Sequence, residues 1–146
     1  MRTRLLVSLL AAGALLVAAP FASAASFVSH FHAPNHTPKA GKKWPVTVTA
    51  TTKSGRKLRA TALYEIVEPV TGYVCKEGPD PGHPSKSPTC ASGPRGSKPW
   101  PFFGVLHDNT FIWPSRAIGI NLILKTVVKV KGRGTITHSW KVRVHR

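Results

Sequence analysis

The chain's densest group of metal-capable side chains is His30, His32 and His36, in the run His30-Phe31-His32-Ala33-Pro34-Asn35-His36. Alternate residues of a strand project to one side. His30 and His32 can therefore face one ion, with His36 joining them if the chain turns at Pro34. Neutral imidazoles suit Zn, Cu or Ni. A structural zinc site takes four ligands, however, and no Cys or acid stands nearby to supply the fourth. The competing reading makes this run a polar, flexible arm ahead of the first strand. His138 shares a strand face with Ile136 and Trp140, the position of a core or rim histidine.

Carboxylate chemistry has little to draw on. Glu65, Glu68, Glu77, Asp80 and Asp108 are the only acids. Glycoside hydrolysis needs two carboxylates at a defined separation, and no pair is marked out. A hydrolase serine on a sharp turn would read G-x-S-x-G, which does not occur. The phosphate-cradling glycine loop of nucleotide-binding proteins is missing as well. His107 and Asp108 are adjacent, but neighbours on a strand point to opposite faces. The inventory argues against an enzyme and calls for no cofactor.

Aromatic and basic residues offer a second kind of site. Trp100, Phe102, Phe103, Phe111 and Trp113 crowd together with several prolines between them. Core is the ordinary place for such residues in a small β protein. Trp100, though, follows directly on a segment rich in Gly, Pro, Ser and Lys. Beside Arg95 and Lys98 it is placed to stack a sugar or a base, on a loop of the sort where binding sites concentrate. The only two cysteines, Cys75 and Cys90, bracket most of that segment. In an exported protein such a pair is expected to be bridged. Closing a loop of about 15 residues contributes ~3 kcal/mol in the chain-entropy account.

The elements that position these residues begin with a leader. Arg2 and Arg4 precede an apolar run from Leu5 to Ala19, ending at Pro20 and the small-residue triplet Ala22-Ser23-Ala24. That order reads as a secretory signal peptide over residues 1–24, cleaved after Ala24. A membrane span needs about 20 predominantly apolar residues, and neither this run nor any later one meets that length. The expected location is therefore extracellular. The whole chain carries 21 Lys and Arg against 5 acids, a formal charge of +16. The cations recur along the sequence and do not form a block. Such a broad positive field draws in polyanions, or simply keeps a small exported protein in solution.

Beyond residue 40 the pattern is one of strands. Val46, Val48 and Ala50 alternate with Thr47, Thr49 and Thr51, and Ala60, Ala62, Tyr64 and Ile66 alternate with Arg59, Thr61, Leu63 and Glu65. Period-two alternation of this kind marks half-buried strands. Near the end, Leu122, Leu124, Thr126, Val128 and Val130 share one face. Lys131-Gly132-Arg133-Gly134 makes a hairpin loop, and Ile136, His138, Trp140, Val142 and Val144 share the next face. No later segment repeats apolar residues at helical spacing. The expectation is an all-β chain: a single antiparallel β-sandwich of about seven strands over residues 41–146, preceded by an arm at 25–40.

Two stretches carry a resemblance. His36 to Ala50 is similar to the first strands of small secreted bacterial immunoglobulin-like proteins, as is Trp113-Pro114-Ser115-Arg116-Ala117-Ile118-Gly119 with the two long strands after it. The resemblance implies an immunoglobulin-like or fibronectin-III-like sandwich and carries no activity with it. The Cys75–Cys90 insertion has no counterpart there. The functional expectation is a basic, non-catalytic binding or interaction module of the cell envelope or extracellular space. Its partner would be an anionic envelope polymer or another extracellular protein, with no specific nucleic acid. The alternatives are a metal-handling protein using the N-terminal histidines, or a purely structural exported domain.

Overall fold

The computed structural model describes residues 25–77 and 98–146. The expected leader and, from the expected bridge and ligand site, Cys90 and Arg95 lie outside the described residues. Among the described residues the strands are β1 (Phe31–His32), β2 (Val46–Thr49), β3 (Arg59–Glu68), β4 (Tyr73–Glu77), β5 (Trp100–Phe103), β6 (Val105–Asp108), β7 (Asn121–Val130) and β8 (Gly134–Arg143). A 3-10 turn at Ser115–Ala117 separates β6 from β7. No helix among them is long and apolar enough to cross a membrane.

The protein is an all-β sandwich of two antiparallel sheets. In the first sheet β3 pairs along one edge with β7, and β7 with β8. The other edge of β3 is shared: β5 pairs with its first half and β4 with its second. In the second sheet β2 lies between β1 and β6. The sheets are joined where β5 runs into β6 through Gly104, whose φ is +72°. A strand that changes sheets at a bend is a recognised way of turning a sandwich corner. A side chain at Gly104 would also strike the stem of Lys57, 2.5 Å from the Cβ position.

The faces follow the alternation. Ala60, Ala62, Tyr64 and Ile66 of β3, with Leu122, Leu124, Thr126, Val128 and Val130 of β7, are buried between the sheets. Their neighbours Arg59, Lys129 and Asn121 are exposed. One half of the core gathers Trp44, Tyr64, Phe111, Trp113, Leu124 and Val144. The other half is built on Phe27, Val48, Ala50, Ala60, Ala62, Leu106 and Val128. Small alanines there are matched by large partners, since Ala60 sits opposite Phe102 and Ala62 opposite Trp100. Cross-strand partners share a face, so these aromatics cover the alanines.

Residues 25–40 depart from the expected arm. Val28 and Thr51 exchange backbone hydrogen bonds, and Thr49 N–H donates to the His30 carbonyl. Farther along, Arg143 N–H donates to the His36 carbonyl and His145 N–H to that of Pro38. Lys39 forms a parallel bridge with His145. The segment thus borders the second sheet first, crosses at Ala33–Pro34, and then borders the first sheet beside its last strand. Its inward side chains Phe27 and Ala33 are buried. The reason is the same period-two rule: Phe27, Ser29, Phe31 and Ala33 turn inward while His30 and His32 face out.

Candidate functional site

The three N-terminal histidines are not brought together. His30 and His32 are exposed, on the outward side of the edge segment. His36 lies past the crossing, its ring stacked on Trp140 at 4.3 Å and 8°. Its Nδ1 is 2.6 Å from the Lys141 carbonyl, to which it donates. Among the described residues no group of three or more His, Cys, Asp or Glu side chains is placed to hold a metal ion. The turn at Pro34 that was expected to close a ligand set instead carries His36 to the other sheet.

His138 occupies the rim position expected of it. Its Nε2 lies 2.9 Å from the Ser29 hydroxyl, and Phe31 stacks beside it at 6.4 Å. Burial, and secondarily the charge of nearby His30, hold its pKa below the ordinary histidine range. With the folded pKa depressed, the unfolded chain takes up its proton first as pH falls. The His138 contribution is therefore full above the unfolded value of about 6.5 and declines as pH drops from there through the folded value. Replacing His138 by Gln is expected to flatten the loss of urea midpoint between about pH 7 and 5. An identical slope in both chains would rule this histidine out as its source.

Two of the acids, Asp108 and Glu68, serve turns. Asp108 is 2 % exposed. Its Oδ2 accepts from the Tyr64 hydroxyl at 3.2 Å, and its Oδ1 accepts from Thr110 N–H and Oγ1–H at 2.9 and 2.8 Å. That carboxylate ties β6 to β3 across the sandwich while fixing the bend after β6. His107 points the other way, to the Thr47 hydroxyl at 3.2 Å, as adjacent strand residues must. Glu68 accepts from Val70 N–H at 3.0 Å and Thr71 N–H at 2.7 Å, and from the Thr71 hydroxyl. These bonds, the hydroxyl foremost, hold its carboxyl below the usual range.

The expected loop platform is only partly formed by the residues named for it. Lys98 is exposed. Trp100 is half-buried and packs against the second half of the core, so it is a wall of the sandwich and not a free stacking surface. The exposed ring of this stretch is Phe103, 60 % accessible. It belongs to the opposite face of β5 from Trp100 and Phe102 because strand side chains alternate.

Phe103 borders a groove of about 780 Å³ whose walls include Arg59, Thr61, Pro101, Lys129 and Lys131. Register explains the convergence. Arg59 is opposite Phe103 and Thr61 opposite Pro101 across β3 and β5, and Thr61 is opposite Lys129 across β3 and β7. The β3–β7 pairing ends at Thr61–Lys129, so beyond it the strands part, with Arg59 on one bank and Lys131 on the other. No acid lines this groove among the described residues. Glu65 is six residues along β3 from Arg59, about 20 Å at strand rise.

The outward position of Arg59 was legible from alternation, and Lys131 read as part of the hairpin loop, but their meeting with Lys129 beside Phe103 was not. Phe103 and Trp100 neighbour the same basic segment in sequence, and only the strand phase separates the exposed ring from the half-buried one. No protein-family model, no curated protein and no solved structure matches the chain.

Proposed function

We propose that this is an exported, non-catalytic binding module of immunoglobulin-like type that meets an anionic polymer of the cell envelope or extracellular space. The observation that carries the reading is the groove on the outer face of the first sheet, lined by no acid among the described residues, where Arg59, Lys129 and Lys131 converge around exposed Phe103. The chain's formal charge of +16, of which the expected leader holds only Arg2 and Arg4, supplies a long-range field of the same sign, which raises the local concentration of a polyanion before contact. The pairing order supports the immunoglobulin-like type. The path runs β1–β2–β6, turns the corner through β5, and continues β3–β7–β8 with β4 beside β3, while the segment at Lys39 runs parallel to the end of the chain. In this reading Cys75, buried at the edge of the first sheet, is bridged to Cys90.

The test is retention of the protein on immobilised polyanions and on an uncharged matrix of the same polymer backbone. Retention on the anionic matrix alone is expected at about 0.15 M salt. It should be lost near 1 M, where the Debye length falls to about 3 Å. Passage through the anionic column without delay even at about 0.01 M salt, where screening is weakest, would refute the proposal.

A further inference from the structure

We infer that the groove between β3, β5 and β7 is a saccharide subsite, and that its ligand is an acidic polysaccharide. This rests on the anion-binding reading above and names its substrate class.

Cations alone would serve any polyanion, so the discriminating feature is the apolar floor. Phe103 is 60 % exposed, at a position where β5 offers Pro101 as the next residue on the same face. Both are exposed. A large ring left in water beside a proline forms a flat apolar strip, and this one lies inside a groove walled by cations and not alone on the surface. Sugar rings present flat faces of C–H groups that cover such a strip, while their acidic substituents project from the ring edge. Here the ring edge would meet Arg59 from the β3 bank and Lys129 and Lys131 from the β7 bank. Arg59, directly opposite Phe103, carries a planar fork that pairs with a carboxylate or sulfate through two parallel hydrogen bonds.

A single-stranded nucleic acid is the competing polyanion with a flat face. Proteins that hold it use successive aromatic platforms for successive bases. Phe102 also lines the groove, but it is half-buried and packs on the core as Trp100 does, which leaves Phe103 as the groove's exposed ring among the described residues. The wall opposite Phe103 is cationic and aliphatic. The arrangement suits one sugar unit on an apolar strip with charged neighbours on either side.

The experiment compares binding of the full protein to polygalacturonate, inorganic polyphosphate, dextran and an oligothymidylate at one ionic strength, with three variants. Wild type is expected to bind polygalacturonate more tightly than polyphosphate and dextran not at all. Phe103→Ala should weaken polygalacturonate about tenfold, the scale of losing one stacked ring, and leave polyphosphate within about twofold. Phe103→Trp should restore polygalacturonate binding. The triple replacement of Arg59, Lys129 and Lys131 by Gln should weaken both polyanions. Because Phe103 is exposed, unchanged urea midpoints will separate lost binding from lost folding.

Polygalacturonate and polyphosphate bound equally, and both indifferent to Phe103, would overturn the saccharide assignment while leaving an anion-binding surface in place. Oligothymidylate bound more tightly than polygalacturonate in a Phe103-dependent way would overturn it in favour of a nucleic acid. Binding of no polyanion by wild type would remove this inference together with the reading it rests on.

Discussion

Replacing Trp113 by alanine is expected to lower the stability of the protein by about 3–5 kcal/mol. The residue is 1 % exposed, at the centre of an aromatic group that joins three parts of the chain. Its ring meets Trp44 edge-on at 5.6 Å and Phe111 at 5.2 Å, and Phe111 in turn meets Tyr64 at 5.5 Å. Each such pair contributes about 0.5–1.5 kcal/mol beyond the area it buries. Trp113 also lines the floor of a half-open pocket of about 200 Å³, with buried Ile66, Cys75, Ala117 and Leu122 below and exposed Tyr73 and Ile120 at its mouth. Truncation would deepen that pocket into the core, at the cost of the lost contacts and the space left behind.

The measurement is a urea titration, with a lower midpoint at unchanged m indicating a loss of stability alone. Trp113→Phe should cost much less. The indole N–H of Trp113, like that of Trp44, meets no acceptor among the described residues, so no hydrogen bond is given up. An unfolding free energy for the alanine variant within about 0.5 kcal/mol of wild type, the range of neutral surface changes, would place the core elsewhere.

Starting the chain at Gly41 is expected to abolish the cooperative unfolding transition. Residues 25–40 supply backbone partners to Thr49, Thr51, Arg133, Arg143 and His145, and each such bond contributes about 0.5–1.5 kcal/mol net. They also bury Phe27 and Ala33, and a buried Phe alone contributes about 1.5–3 kcal/mol. Phe31 packs edge-on against Trp140 at 5.6 Å, and the His36 ring covers the same indole. Together these approach the whole stability of an ordinary small domain, about 5–15 kcal/mol. Their removal would strip one edge from each sheet and uncover Trp140. A shortened chain that unfolds cooperatively at the wild-type midpoint would restore the segment to the status of an arm.

These two experiments probe positions of opposite legibility. Trp113 announced itself: a large ring beside Phe111 and before Pro114 has few places to go in a chain this size except inside. The segment 25–40 did not. Its inward residues Phe27, Ser29, Phe31 and Ala33 do alternate, but Ser29 and the histidines between them dilute the apolar signal. Its partners lie at Thr49–Thr51 and at Arg143–His145, one nearby and one at the far end of the chain. A segment that changes sheets halfway has no single periodicity, because its inward side is defined by two different neighbours in turn.

What the sequence determined by itself is local. Alternation sets which side of each strand is apolar: β2, β3 and β7 present the expected residues to the core, and on β8 Val142 is buried while Ile136 and Trp140 pack at the core's margin. The Lys131–Gly134 loop fixes the β7–β8 register because a short loop leaves no slack. Asp108 facing away from His107 follows from the pleat alone. What the tertiary structure decided is every relation between strands distant in sequence. The sharing of one β3 edge by β4 and β5, and the end of β3–β7 pairing at Thr61–Lys129, are such relations. They turn scattered cations into a groove with Phe103 beside it, carry His36 away from His30 and His32, and make Trp100 a wall. The physical reason is that period-two patterning specifies a face and not a neighbour. A binding surface on a sheet is made of neighbours, and the packing of the whole core chooses them.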